Sequence, residues 1–197
     1  MSVLLLVLLT GNWEQDLYED IRFGWKGPVQ DAVANALDFG LDWPSVAALD
    51  AGLLLAGDER LSATALQAGA SLAGASAVLF ATRAIVNRAR PEERETEWYR
   101  SAFPSGHTTT FFSTATVYGW RYPKLRWPLA GLGVLVGFSR MYLGEHHPTD
   151  VLAGAALGIG AGAVTMAVWP DDEPSRRKVL GFSVPGSGVG LGVRLGF

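Results

Sequence analysis

The three histidines of this 197-residue chain fall in two short polar clusters, Pro104-Ser105-Gly106-His107 and Ser139-Arg140 through His146 and His147 to Asp150. Imidazole titrates near neutrality, so acid-base or nucleophilic work belongs to these clusters. Pro148 suits the first position of a helix, which sets His146 just before that helix and Asp150 within its first turn. From there the carboxylate can reach back to an imidazole. A carboxylate on one ring nitrogen fixes the tautomer and leaves the other nitrogen free to attack phosphorus. Spacing alone leaves His147 open as the nucleophile beside His146.

In the first cluster Ser105 stands where a helix N-cap belongs, with Gly106 and His107 in the first turn. Backbone N–H groups and the helix dipole then converge on one spot, which favours a phosphate. Upstream, Arg83 and Arg90 are seven residues apart, and they share a helical face if the helix runs that far before Pro91 stops it. Arginine suits phosphate because its planar fork donates several hydrogen bonds and stays charged at working pH. Arg88 and Arg94 fit the spacing less well and read as rim charges.

Taken together, Arg83-Ala-Ile-Val-Asn-Arg-Ala-Arg90-Pro91, the Pro-Ser-Gly-His tetrapeptide and Ser139-Arg140 through His146 to Asp150 resemble, in order and spacing, the tripartite signature of the type 2 phosphatidic acid phosphatase superfamily. The resemblance covers about Ser62 to Trp169. It implies a helical core in which His146 attacks phosphorus, Asp150 supports it and His107 protonates the departing alcohol. By the same likeness Arg83, Arg90 and Arg140, with Ser105 and Gly106, hold the phosphate oxygens. The family usually carries lysine where this chain has Arg83, a departure that bears on substrate fit.

The elements that must position these groups read as helical almost throughout. Asn12 to Asp42 suggests amphipathic helices broken near Gly24 to Pro28. A short apolar helix carrying Asp50 follows, then a long helix from Ser62 to about Arg88, and three more from about Ser105, Trp127 and Pro148. The expected fold is all-α, a bundle of about six core helices, with a β-like tail over Val179 to Phe197. Three regions are expected: an apolar and amphipathic N-terminal part (1–42), a catalytic core (43–170), and a basic linker with a hairpin-like or disordered tail (171–197). Met1 to Thr10 makes a poor signal peptide and is brief for a membrane span, leaving a trimmed signal, an anchor or an interfacial helix open.

Composition narrows the function classes. Sixteen basic residues against 19 acidic ones offer nucleic acid no general attraction, and the absence of cysteine excludes disulfides and thiolate chemistry. No carboxylate–histidine cluster with metal-ligand spacing lies beyond the motifs, and arginines supply the positive charge, so neither metal nor cofactor is expected. The expected partners are a lipid or small-molecule phosphate substrate and a bilayer.

Leu61 to Thr82 and Val151 to Trp169 are uncharged runs long enough to span that bilayer. The basic loop Arg121, Lys124, Arg126 and the tail Arg176, Arg177, Lys178 would mark the cytoplasmic face, setting the catalytic clusters outward in the cell envelope. A soluble exported protein is the alternative. Two rival functions are a vanadium-dependent haloperoxidase, whose pocket resembles this one, and a catalytically silent protein that binds lipid phosphate.

Overall fold

The computed structural model describes residues 12–169, 177–183 and 190–196. The segment Met1 to Thr10 and the turn of the tail lie outside the described residues, as does most of the basic linker.

Among the described residues seven α-helices make up the bundle: α1 (Trp13–Gly24), α2 (Pro28–Gly40), α3 (Trp43–Ala56), α4 (Glu59–Val86), α5 (Gly106–Arg121), α6 (Arg126–Tyr142) and α7 (Pro148–Val168). The tail forms two antiparallel strands, β1 (Arg177–Ser183) and β2 (Gly190–Gly196). Local chemistry sets several boundaries. The carboxylates of Asp42 and Asp58 cap α3 and α4 by accepting from Ser45 N (2.9 Å) and Leu61 N (2.8 Å). Pro28 and Pro148 stand at the starts of α2 and α7, where a missing N–H costs nothing.

The C-terminal end of α4 corrects one expectation. Asn87 takes a left-handed conformation (φ 40°) and its N–H closes on Arg83 O at 3.0 Å, ending the helix at Val86. Arg90 therefore lies beyond the helix, and the two-turn spacing from Arg83 does not put them on one helical face.

Helix α5 is the hub, packing against α7, α4 and α6. Its approach to α7 depends on Gly154, Gly158 and Gly162, spaced one turn apart. A Cβ at Gly158 would sit 2.5 Å from the Thr109 carbonyl oxygen. Small residues at this spacing let helix backbones close up where apolar solvent gives no hydrophobic drive to association.

Besides the apolar packing of Ala68 on Val117, polar pairs join α4, α5 and α3. Ser71 Oγ donates to Ser113 O (3.0 Å), Arg121 Nε to Thr64 Oγ1 (3.2 Å), and Tyr118 OH to Asp50 Oδ1 on α3 (2.9 Å). The outer surface is apolar, with Val78, Phe80 and Ile85 of α4 and Leu152, Ile159, Val164 and Val168 of α7 exposed. Helices α4 and α7 are long and apolar enough to cross a membrane. The pair α2–α3, bent by 59°, passes the same test only if counted as one broken span.

Candidate active site

The last motif folds into a short loop between α6 and α7. Gly144 supplies a positive φ of 79° there, and Glu145 N closes on Arg140 O at 3.0 Å. The turn brings His146 inward, where it is 3% exposed. Its Nδ1 lies 2.8 Å from the carbonyl oxygen of Ala102, which can only accept, so Nδ1 carries the proton and Nε2 has a free lone pair. Asp150 Oδ2 stands 3.9 Å from the same Nδ1, within ion-pair range but beyond a hydrogen bond. Burial, reinforced by the charges of Arg140 and Arg90 and opposed by Asp150, pulls His146 down from 6.5 to about 4. The imidazole is therefore neutral at physiological pH.

His147 turns the other way. Its ring packs against Tyr18 with centroids 5.7 Å apart, and its backbone N–H donates to Asp150 Oδ2 at 2.8 Å. The Asp150 carboxylate is fully buried, and its Oδ1 accepts from Arg88 Nη1 at 2.8 Å. The Asp150 carbonyl in turn accepts from Ser105 N at 3.0 Å, joining the first turn of α7 to the start of α5.

Ser105 is the N-cap of α5 and is fully buried, but its hydroxyl makes no capping bond; it accepts from Thr108 Oγ1 at 3.0 Å. Gly106 leaves room for Arg83, since a Cβ there would come within 3.1 Å of Arg83 Nη2. Arg83 is anchored by the carbonyls of Tyr99 (3.0 Å) and Pro104 (3.3 Å). Arg90 pairs with Glu145, and Arg140 with Asp38 and with Glu145 at 3.5 Å. His107 Nε2 lies 3.2 Å from both the carbonyl oxygen and the Oδ1 of Asp38.

Among the described residues the Nε donors of Arg83, Arg90 and Arg140 are buried without a hydrogen-bond partner. Buried donors on charged groups are costly to leave unmet. The charges of Arg140 and Arg90 act on the His146 imidazole and that of Arg83 on Arg90, so the three unmet donors belong to one cationic cluster, a cradle that an anion can satisfy. No group of three or more His, Asp or Glu among the described residues has the geometry to hold a metal.

The PAP2 superfamily profile matches residues 64–174. This chain belongs to the PAP2 superfamily. Among PAP2 relatives, the chain is 41% identical over 59 residues to undecaprenyl-diphosphatase BcrC of Bacillus subtilis, covering 30% of this chain and 31% of that one. It is 34% identical over 116 residues to decaprenylphosphoryl-5-phosphoribose phosphatase of Mycobacterium tuberculosis, covering 56% and 63%. Matches of this kind reach only part of each relative. The fold is similar to that of LpxE from Aquifex aeolicus, with a TM-score of 0.68, 21% identity, and coverage of 80% of this chain and 97% of that one. Two helices long and apolar enough to cross a membrane, together with PAP2 kinship, support a membrane protein.

Four further residues contact the motif side chains without having been read from the motifs. Arg88, read as a rim charge, is the partner of buried Asp150. Glu14 of α1 pairs with Arg88 (3.1 Å) and accepts from Thr149 N (3.2 Å). Asp38 of α2 and Glu145 meet the arginines. Glu145 sits inside a motif and was legible in principle as a neighbour of His146. Glu14 and Asp38 lie on amphipathic helices where a carboxylate is ordinary, so nothing in the sequence set them apart.

Proposed function

We propose that the chain is a metal-independent phosphatase that hydrolyses a phosphomonoester or diphosphate of a lipid through a phosphohistidine intermediate, with its active site on the outward face. The observation that carries this reading is the neutral, buried His146, its Nδ1–H engaged and its Nε2 lone pair free, with the charges of Arg140 and Arg90 acting on it and three motif arginines holding unmet Nε donors.

In the proposed reaction the phosphate oxygens occupy the donors of Arg83, Arg90 and Arg140 together with the backbone N–H groups at the start of α5. Nε2 of His146 forms a bond to phosphorus while the phosphorus–oxygen bond to the leaving group breaks. The departing oxygen takes the bond's electron pair and a proton from His107. Water then attacks phosphorus, gives its proton to His107, and the phosphorus–nitrogen bond breaks to release inorganic phosphate. The Ala102 carbonyl and Asp150 stabilise the positive imidazole that exists between the two steps. The arginines meet charge that develops on the equatorial oxygens, so positioning and electrostatics supply the acceleration.

The lipid part of the reading draws on the relatives' names and on the apolar surface of α4 and α7. Its orientation draws on the basic loop at Arg121, Lys124 and Arg126, one helix length from the site, which favours the cytoplasmic side. A reporter fused after Phe197 should read as cytoplasmic; an exported reporter overturns the orientation.

The test of the reaction is phosphate release from lipid and soluble esters by wild type and His146→Ala, with EDTA present throughout. Release by wild type and none by the variant supports it. Equal release by both removes His146 as nucleophile, and release that EDTA abolishes removes metal independence.

A further inference from the structure

We propose that Asp38 sets the substrate class of this site, favouring phosphomonoesters, whose leaving group departs as a neutral alcohol, over diphosphates, whose leaving group is itself an anion. The inference rests on the phosphohistidine reading above and adds to it a specificity-determining residue from outside the 64–174 family match.

Position carries the argument. Asp38 comes from the last turn of α2 and meets His107 twice, with carbonyl oxygen and Oδ1 each 3.2 Å from Nε2. Its carboxylate also pairs with Arg140. In the proposed reaction His107 serves the leaving oxygen, and His146 stands on the opposite side of phosphorus. The Asp38 carboxylate therefore lies beside the leaving group, and a second phosphate in that place meets a fixed like charge.

The local charge balance points the same way. Three cations face the cradle, Arg83, Arg90 and Arg140, while Asp38 and Glu145 already offset two of them. Arg88 is committed to Asp150 and Glu14. What remains suits the dianion of a monoester better than the larger charge of a diphosphate. Glu145 touches only arginines, so it lowers affinity for every phosphate alike. Among the described residues Asp38 is the carboxylate that pairs with both an arginine and the leaving-group acid. Its side chain is 43% exposed, so solvent moderates the discrimination to about tenfold.

The experiment uses the full chain in detergent and compares kcat/KM for a prenyl monophosphate and a prenyl diphosphate of the same chain length. Wild type should favour the monophosphate, and added salt should narrow that preference. Asp38→Asn should move the ratio toward the diphosphate by about tenfold, whereas Asp38→Glu should hold it near wild type. An unchanged ratio in Asp38→Asn overturns the proposal. Should Asp38→Asn fail to fold, wild type decides: a preference for the diphosphate, or one that salt does not alter, overturns it equally. His146→Ala serves as the separate control. If it still releases phosphate the parent mechanism fails, a result distinct from an altered or unaltered substrate ratio.

Discussion

Arg88 Nη1 and Asp150 Oδ1 meet at 2.8 Å, and the second oxygen of the same carboxylate accepts from the His147 backbone. Asp150 is fully buried, so these bonds stand in for its lost hydration. Arg88 also holds Glu14, which accepts from Thr149, so one guanidinium ties α1, the loop after α4 and the start of α7 into a single unit.

Arg88→Ala leaves part of a buried carboxylate without a donor. The expected cost is about 1–3 kcal/mol of stability, with a parallel loss of phosphate release, and Arg88→Lys restores part of both. Thermal unfolding in detergent measures the first effect and turnover the second. An unshifted midpoint in Arg88→Ala contradicts this role.

His146 titrates at about 4 in the folded chain against 6.5 ordinarily, with burial as the main cause. Neutral imidazole therefore persists well below the usual histidine range, and the acid limb of kcat/KM assigned to this group should fall near 4 rather than 6.5. The stability consequence has a definite sign. Between about 4 and 6.5 the unfolded chain binds a proton that the folded chain refuses, so this contribution to stability is complete above 6.5 and declines as pH falls toward 4. His146→Gln should make that part of the stability profile shallower, with His107 and His147, both also lowered chiefly by burial, keeping the remaining slope; unfolding midpoints across the interval will show it.

Gly154→Ala should disturb both fold and site. Its Cβ would sit 2.6 Å from the carbonyl oxygen of Ser105, the residue at the N-cap position of α5 just before Gly106 and His107. Forcing α7 and α5 apart should cost about 1–3 kcal/mol and lower kcat/KM. Gly160→Ala meets open space on the same helix and should stay within about 0.5 kcal/mol of wild type. Equal midpoints for the two variants would contradict the close-packing account.

Arg83→Lys keeps the charge but loses the fork that serves the carbonyls of Tyr99 and Pro104 together. With its anchoring gone the cation wanders, and kcat/KM should fall by roughly tenfold while the unfolding midpoint moves little. Steady-state kinetics beside unfolding curves will separate this from a folding defect.

Helix placement was legible because composition and boundary residues agree with geometry. The break at Gly24 to Pro28, the start at Pro148 and the uncharged runs of α4 and α7 all appear where those residues predict them. Ser105, Gly106, His107, Arg140 and His146 converge because each sits beside a helix end that faces the same side of the bundle. What escaped was long-range pairing. The stop at Asn87 depends on a left-handed residue that side-chain type only weakly signals, and it separated Arg90 from the face of Arg83. Asp38 and Arg140 are 102 residues apart in sequence, and no local pattern announces such a pair.

The participation of α1 and α2 changes where inherited substitutions matter. Glu14 and Asp38 lie before residue 64, where the family match begins, yet they touch Arg88, Thr149, Arg140 and His107. Transplanting only the shared segment into another scaffold would carry over the motifs while leaving Arg88 and His107 without these carboxylates. The unit that carries this site is thus larger than its recognisable signature, and under the Asp38 proposal a substitution in the second helix shifts substrate preference without touching a motif.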